Sequence, residues 1–287
     1  MNIRQARKKI KSVGNVKKIT KAMQLVSAIK MKKAQQLARE GKPYQIHLEA
    51  IIRKIVSKID AQQSELISRK YDVSKKKDLA VVITSNKGLC GGFNMNLIRL
   101  ILKSVDFKNT DFVIIGKKAS LLGKFGGNII ADFSSNFPHE NVSALFNLVL
   151  TKYLNNTYTN IYIYYNLFVS TLRVDPTKET LLPINLLLEK PENKEQIESE
   201  NEYLIEPSPE EIVDSLLKSF VQEKIQHAII QSEAGEHSSR MIAMKNATEN
   251  ATDVIYNLTM LRNKLRQEKI TNELLDMVTA KESVEAN

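Results

Sequence analysis

The stretch from Pro209 to Glu285 limits what this chain can fold into more than any other. It has no proline beyond its first residue and a single glycine, Gly235. Apolar residues return every three or four positions, at Val254, Leu258, Leu261, Leu265, Leu274 or Leu275, and Val278, the spacing of one helix face. About 75 residues at roughly 1.5 Å rise predict a rod on the order of 110 Å long. No single domain of this size is that wide. The rod is expected to project, with its apolar stripe covered by something.

Part of the cover lies in the same chain. The first sixty residues predict a second long helix whose stripe is Ile3, Ala6, Ile10 and Val13, then Ile19, Met23 and Val26. The opening steps of three, four and three are the heptad rhythm of a two-stranded coiled coil. After Val13 the register slips, because Val16 and Ile19 follow at steps of three. Gly14 sits at the slip, which predicts a bend or an overwound turn. Terminal helices joined through a central domain pair antiparallel, and the shorter N-terminal one leaves part of the C-terminal rod uncovered.

Between them, Ser64 to Lys77 reads as a linker, and then the period changes. Leu79 to Thr84 is a continuous apolar run, the mark of a strand buried on both faces. Gly88, Gly91 and Gly92 follow, with Asn94 placed to cap a helix through Ile98, Ile101 and Leu102. Phe112 to Gly116 predicts a second strand, with a short helix over Leu121 and Leu122 behind it. Asn128 to Phe133 predicts a third, and a helix from Asn141 to Tyr153 leads to a fourth, Ile161 to Phe168. Leu181 to Leu187 reads as a fifth, at an edge because Pro183 interrupts it. Strands alternating with helices predict an open sheet. The expected fold class is therefore α/β: an antiparallel coiled coil of long N- and C-terminal helices (1–60 and 209–287) with a central Rossmann-like open α/β domain (78–190). An acidic tether (191–208) joins that domain to the last helix.

Charge is uneven along this plan. The net charge is +10, yet residues 1–60 hold 16 basic side chains against Glu40, Glu49 and Asp60. Residues 191–211 hold eight glutamates and one lysine. The basic surface belongs to the N-terminal helix, so an acidic partner is expected. Cys90 is the only cysteine, which fits a reducing compartment and excludes an internal disulfide. No run approaches the ~18 apolar residues of a membrane span. The N-terminus enters the helical pattern without an apolar block, so neither a secretory signal nor a transit peptide is expected. Any membrane role would be peripheral.

Catalytic chemistry finds no constellation. Gly88-Leu89-Cys90-Gly91-Gly92 follows a strand but lacks the G-x-G-x-x-G spacing and a following Gly-Lys-Ser/Thr; it reads as a turn needing positive φ. Cys90 has no neighbouring base in sequence and reads as a buried thiol. His47, His139, His227 and His237 are scattered, so no metal motif forms. Tyr162 and Tyr164 read as one packed strand face rather than a stacking platform for single-stranded nucleic acid. No catalytic residue, cofactor, metal or small-molecule substrate is expected. The residues point to a mechanical or interaction role.

Four segments carry a resemblance. The run Lys11-Ser12-Val13-Gly14-Asn15-Val16-Lys17-Lys18-Ile19-Thr20-Lys21-Ala22-Met23-Gln24-Leu25-Val26-Ser27-Ala28 closely resembles the opening of the gamma subunits of F-type ATP synthases. The C-terminal runs Arg240 to Ala251 and Asn263 to Leu274 look like the same family's signatures. Thr84 to Gly92 resembles its third block, with Asn86-Lys87 where Asp-Arg is common. Residues 105–185 match only in pattern.

The resemblance implies a rotor shaft, one copy per complex, turning inside a ring of three alpha and three beta subunits. Its α/β domain would sit against the epsilon subunit and the membrane ring of c subunits, placing the chain peripherally on the cytoplasmic face of a bacterial plasma membrane. By the same resemblance Lys18, Lys21 and Met23 would face the acidic lever loop of beta. Arg266 and Gln267 would form the catch on one beta subunit at a time, and Arg240, Thr271 and Glu273 match positions linked to coupling between the helices. Ile29, followed by Lys30, departs from the small residue usual there, which would widen the helix spacing locally. No cysteine pair of the plastid kind is present, so thiol regulation is not expected. The alternative reading is a basic coiled-coil protein that binds nucleic acid with strongly salt-dependent affinity.

Overall fold

The computed structural model describes residues 1–56, 64–67, 77–135, 138–184, 205–206 and 208–285. Helix α1 runs from Ile3 to Val56 and helix α4 from Pro209 to Glu285. Between them lie β1 (Asp78–Ile83), α2 (Phe93–Ser104), β2 (Thr110–Ile115), a 3-10 helix (Lys117–Phe125) and β3 (Asn128–Asp132). Then come α3 (Val142–Leu154), β4 (Asn160–Phe168) and β5 (Val174–Leu182). The acidic tether, apart from 205–206 and 208, and residues 68–76 of the linker lie outside the described residues. The chain divides into two compact units, Met1–Ser27 with Arg240–Asn287, and Ala28–Ser239.

In the second unit the sheet order is β3-β2-β1-β4-β5, parallel except for β5, which pairs antiparallel with β4 at the edge. Alternation sends β1 in two directions. Leu79, Val81 and Ile83 join one buried cluster, and Ala80 and Val82 join the other. The second face is covered by Leu97, Ile98 and Ile101 of α2 with Leu122 of the 3-10 helix. The first is covered by Leu145 and Val149 of α3, by Ile52 and Ile55 near the end of α1, and by Leu217, Val221 and Ile225 near the start of α4. The long helices are thereby anchored in the same core that closes the sheet. Tyr164 is buried and Tyr162 packs against its cluster, as the alternation on β4 predicts.

Two local expectations change. The fifth strand starts at Val174 and ends at Leu182, before Pro183; antiparallel pairing to β4 recruits the polar run Val174 to Thr180, which carries no apolar signal of its own. Residues 185–187, read as its continuation, lie outside the described residues. Asn94 does not cap α2, whose N-cap is Gly92. Its amide instead bonds the Ser85 N–H (3.0 Å) and Cys90 Sγ (3.2 Å), tying the glycine loop to the end of β1. In that loop Gly91 has φ +58° and Leu89 φ +63°, and Cys90 is buried.

At the opposite end of the sheet, Tyr158 donates to Asp111 Oδ2 (2.8 Å) and Asn128 donates to Asp111 Oδ1 (2.8 Å). Burial, then the hydrogen bond to Asp111, pushes the ionisation of Tyr158 well above the usual tyrosine range. A folded pKa above the unfolded value contributes stability below pH ~10 that is lost as pH rises further. Tyr158→Phe removes a donor from a buried carboxylate, so it is expected to lower stability by about 2 kcal/mol at neutral pH. The same variant should lose less stability than the parent above pH ~10; urea midpoints across that range check both effects.

The first unit corrects the reading of the seam. On α1 the buried and half-buried positions up to Ser27 are Ile3, Ala6, Ile10, Val13, Gly14, Lys17, Thr20, Met23, Gln24 and Ser27; all but Gly14 and Met23 fall in an unbroken alternation of three and four. The predicted slip does not occur, and α1 stays α-helical through Gly14. Val16, Ile19 and Val26 are exposed by 49%, 59% and 54%. On α4 the matching positions are Met241, Met244, Thr248, Ala251, Ile255, Leu258, Arg262 and Leu265, whereas Val254 and Leu261 lie outside. Thr20 and Thr248 hydrogen-bond across the seam at 2.8 Å. Counting antiparallel from that pair sets Ser27 level with Met241 and Ile3 level with Leu265, the two ends of the stripe. Parallel counting would match neither end.

Candidate functional site

Two groups of expected partner-facing residues lie on the first unit. Lys18 and Lys21, three residues apart, share one flank of α1, and both are exposed. Lys21 Nζ donates to Gln24 Oε1 (3.3 Å). Met23 is not brought to them. Helical geometry puts it roughly 150° around from the lysines, on the flank of Val16, Ile19 and Val26. α1 therefore offers a basic flank and an apolar flank, divided by the seam.

Arg266, Gln267, Thr271 and Glu273 follow the end of the seam at Leu265. From residue 266 to 281 every position of α4 is exposed. Arg266 and Glu273, seven apart, share one face, and Gln267, Thr271, Leu274 and Val278 share the next. Glu273 pairs with Lys269 at 3.3 Å, both exposed, an ion pair worth little in water. The antiparallel count sets Arg266 level with Asn2, roughly 30 Å along the coil from Lys21. The residues expected at the lever and those expected at the catch thus lie at two separate stations. Arg240 is 7% exposed and so presents almost none of its surface to solvent.

Sequence patterning missed the outward apolar residues. Val16, Ile19, Leu25 and Val26 on α1, and Tyr256, Met260, Ile270, Leu275 and Met277 on α4, are exposed by about half or more. The signal that marks the flank is the heptad run of small and polar residues from Lys17 through Ser27 beside it. It was hidden because a seam is ordinarily sought among apolar residues.

An antiparallel helical pair with one helix end exposed at every position from 266 to 281, and a separate parallel-sheet α/β unit, define the class of protein by fold. The ATP synthase family model matches residues 2–284. ATP synthase gamma chains of Akkermansia muciniphila (33% identity, 99% of both chains), Helicobacter acinonychis (37%, 96% of this chain and 97% of that one) and Methylacidiphilum infernorum (38%, 96% and 97%) are similar along nearly their whole length. Among solved structures, the central stalk and c-ring of Tetrahymena thermophila mitochondrial ATP synthase matches with TM-score 0.59 and 25% identity over 80% of this chain and 99% of that one. A chain of Euglena gracilis mitochondrial ATP synthase matches with TM-score 0.71 and 17% identity over 99% and 95%. The chain belongs to the ATP synthase gamma chain family.

Proposed function

We propose that this chain is the central rotor shaft of an F-type ATP synthase, coupling ion flow through a membrane ring to the conformational cycle of catalytic beta subunits. The observation that carries this reading is the bare end of α4. Ile270, Leu274, Leu275, Met277 and Val278 are all exposed by 49–65% along one helix end, which a partner must enclose. A sleeve of three alpha and three beta subunits supplies that enclosure. The basic flank of α1 suits acidic loops on beta, with Lys18 and Lys21 at the lever and Arg266, Gln267, Thr271 and Glu273 at the catch; Met23 meets the sleeve on the other flank. Arg240 acts from within the chain. The α/β unit meets epsilon and the c-ring.

The chain carries out no bond-making step of its own in this reading. No helix among the described residues is long and apolar enough to cross a membrane, and attachment through the c-ring makes it peripheral on the cytoplasmic face of a bacterial plasma membrane. Affinity purification of the tagged chain from its own cells tests the proposal. One copy with three alpha and three beta subunits is expected, resistant to nuclease. Recovery of DNA or RNA with salt-sensitive binding, and no ATP synthase subunits, would overturn it.

A further inference from the structure

One short stretch of α4 buries more than a single helix face. From Ser232 to Ser238, five of seven consecutive residues are buried: Ser232, Ala234, Gly235, His237 and Ser238. A helix lying on a surface buries roughly three or four in two turns, so α4 is enclosed here. Four of the five side chains are small. Gly235 is the only glycine in the 77 residues of α4, and a glycine inside a helix lowers stability relative to alanine. Something must require the missing side chain.

The requirement comes from three elements of the second unit. A Cβ on Gly235 would lie 2.9 Å from Val174 Cγ1 on β5, 3.4 Å from Phe93 Cε2 on α2 and 3.6 Å from the Asn166 carbonyl oxygen on β4. Val174 is β-branched and stiff, so it does not turn aside cheaply. The buried Asn166 amide donates to the Phe93 carbonyl at 3.3 Å, holding α2 and β4 together at this point. One turn further on, the fully buried Ser238 donates to the Thr171 carbonyl in the β4–β5 hairpin. The hairpin tip is closed by the Val169 and Ser170 N–H groups on the Arg173 carbonyl, at 3.2 and 3.0 Å. Gly235 and Ser238, three apart, share one helix face. We propose that this face is a rigid joint, in which the Gly235 notch receives Val174, the Ser238 bond stops the helix sliding, and the sheet and α4 turn as one body. Close-packed contacts of this kind transmit strain instead of absorbing it. That the joint carries torque rests on the rotor reading; that it is a joint does not. Gly235 and Ser238 are positioning residues.

Two measurements test it. In thermal melts of the full-length chain, Val174→Ala and Gly235→Ala should each lower the midpoint by about 3 °C, the first by a gap and the second by a clash. Combined, they should lie within about 2 °C of the parent, because the methyl gained on α4 enters the space vacated on β5. Losses that simply add overturn the joint. In the complex with alpha and beta subunits fixed to a surface, a bead on the exposed Lys108→Cys reports the angle of the sheet, Cys90 being buried. Val174→Ala and Ser238→Ala should each widen the angular fluctuation about two-fold, and adding Gly235→Ala to the first should narrow it again. A loss of folded chain alone would reduce the number of complexes without widening the spread in those that remain. A spread unmoved by either variant also overturns the joint. A parent chain that never enters the complex overturns the rotor reading instead, and the melts then decide the joint by themselves.

Discussion

Valine in place of Gly116 is expected to destabilise the α/β unit by roughly 4 kcal/mol and to lower its unfolding midpoint by about 12 °C. Gly116 follows β2 at φ +97°, and a Cβ there would lie 2.0 Å from the Thr84 carbonyl oxygen. Thr84 has no room to retreat. Its N–H donates to the Ile115 carbonyl at 2.7 Å, and its hydroxyl donates to the Gly116 carbonyl at 2.9 Å. Backbone strain contributes on the order of 1–3 kcal/mol and overpacking against β1 a similar amount. Against a typical total of about 5–15 kcal/mol, that is roughly a quarter to four-fifths of the margin. Gly126 is the control, since at φ +87° a Cβ meets nothing within 4 Å. Gly126→Val bears the strain without the clash and should cost about half as much. Thermal melts of the two variants decide the matter, and equal losses would mean that the close approach at Thr84 carries no weight.

The central strands were legible because parallel burial writes itself into sequence as an unbroken apolar run, and Leu79 to Ile83 and Phe112 to Ile115 are such runs. β5 was misplaced because the signal for an antiparallel edge is in its partner, not in Val174-Asp175-Pro176-Thr177. The last helix was legible from length and breaker content, and the first from its apolar spacing, although Gly14, Gly41 and Pro43 lie within it. Their seam was not. Periodicity reports where apolar residues lie, not which face a neighbour needs, and on α1 the two differ by a single residue. Thr20, Gln24 and Ser27 look like solvent positions until Thr248 appears across from them. The candidate site was legible as a list of residues through resemblance, and helix geometry alone separates Met23 from Lys18 and Lys21, yet its division into two stations required the antiparallel register.

That register also determines how far α1 can shield α4. Since Ile3 stands level with Leu265, nothing in α1 reaches beyond Asn2, and the apolar residues past Arg266 have no cover in the first unit. Replacing Leu274, Leu275, Met277 and Val278 together with glutamate is therefore expected to leave the isolated chain's melting midpoint within about 2 °C of the parent, because all four are already exposed by 53–65% and glutamate is a good helix former. In the assembly the outcome reverses. Completing the burial of four half-exposed apolar side chains contributes on the order of 3 kcal/mol, and four carboxylates would have to be desolvated in addition. The variant should dissociate from alpha and beta subunits at least ~100-fold faster, and cells that depend on it should lose ATP synthesis. Dissociation of labelled chains, followed beside the melts, separates the two effects. A variant that melts like the parent and stays as long in the complex would show that the end of α4 turns in open solvent, and the enclosing sleeve would have to be abandoned.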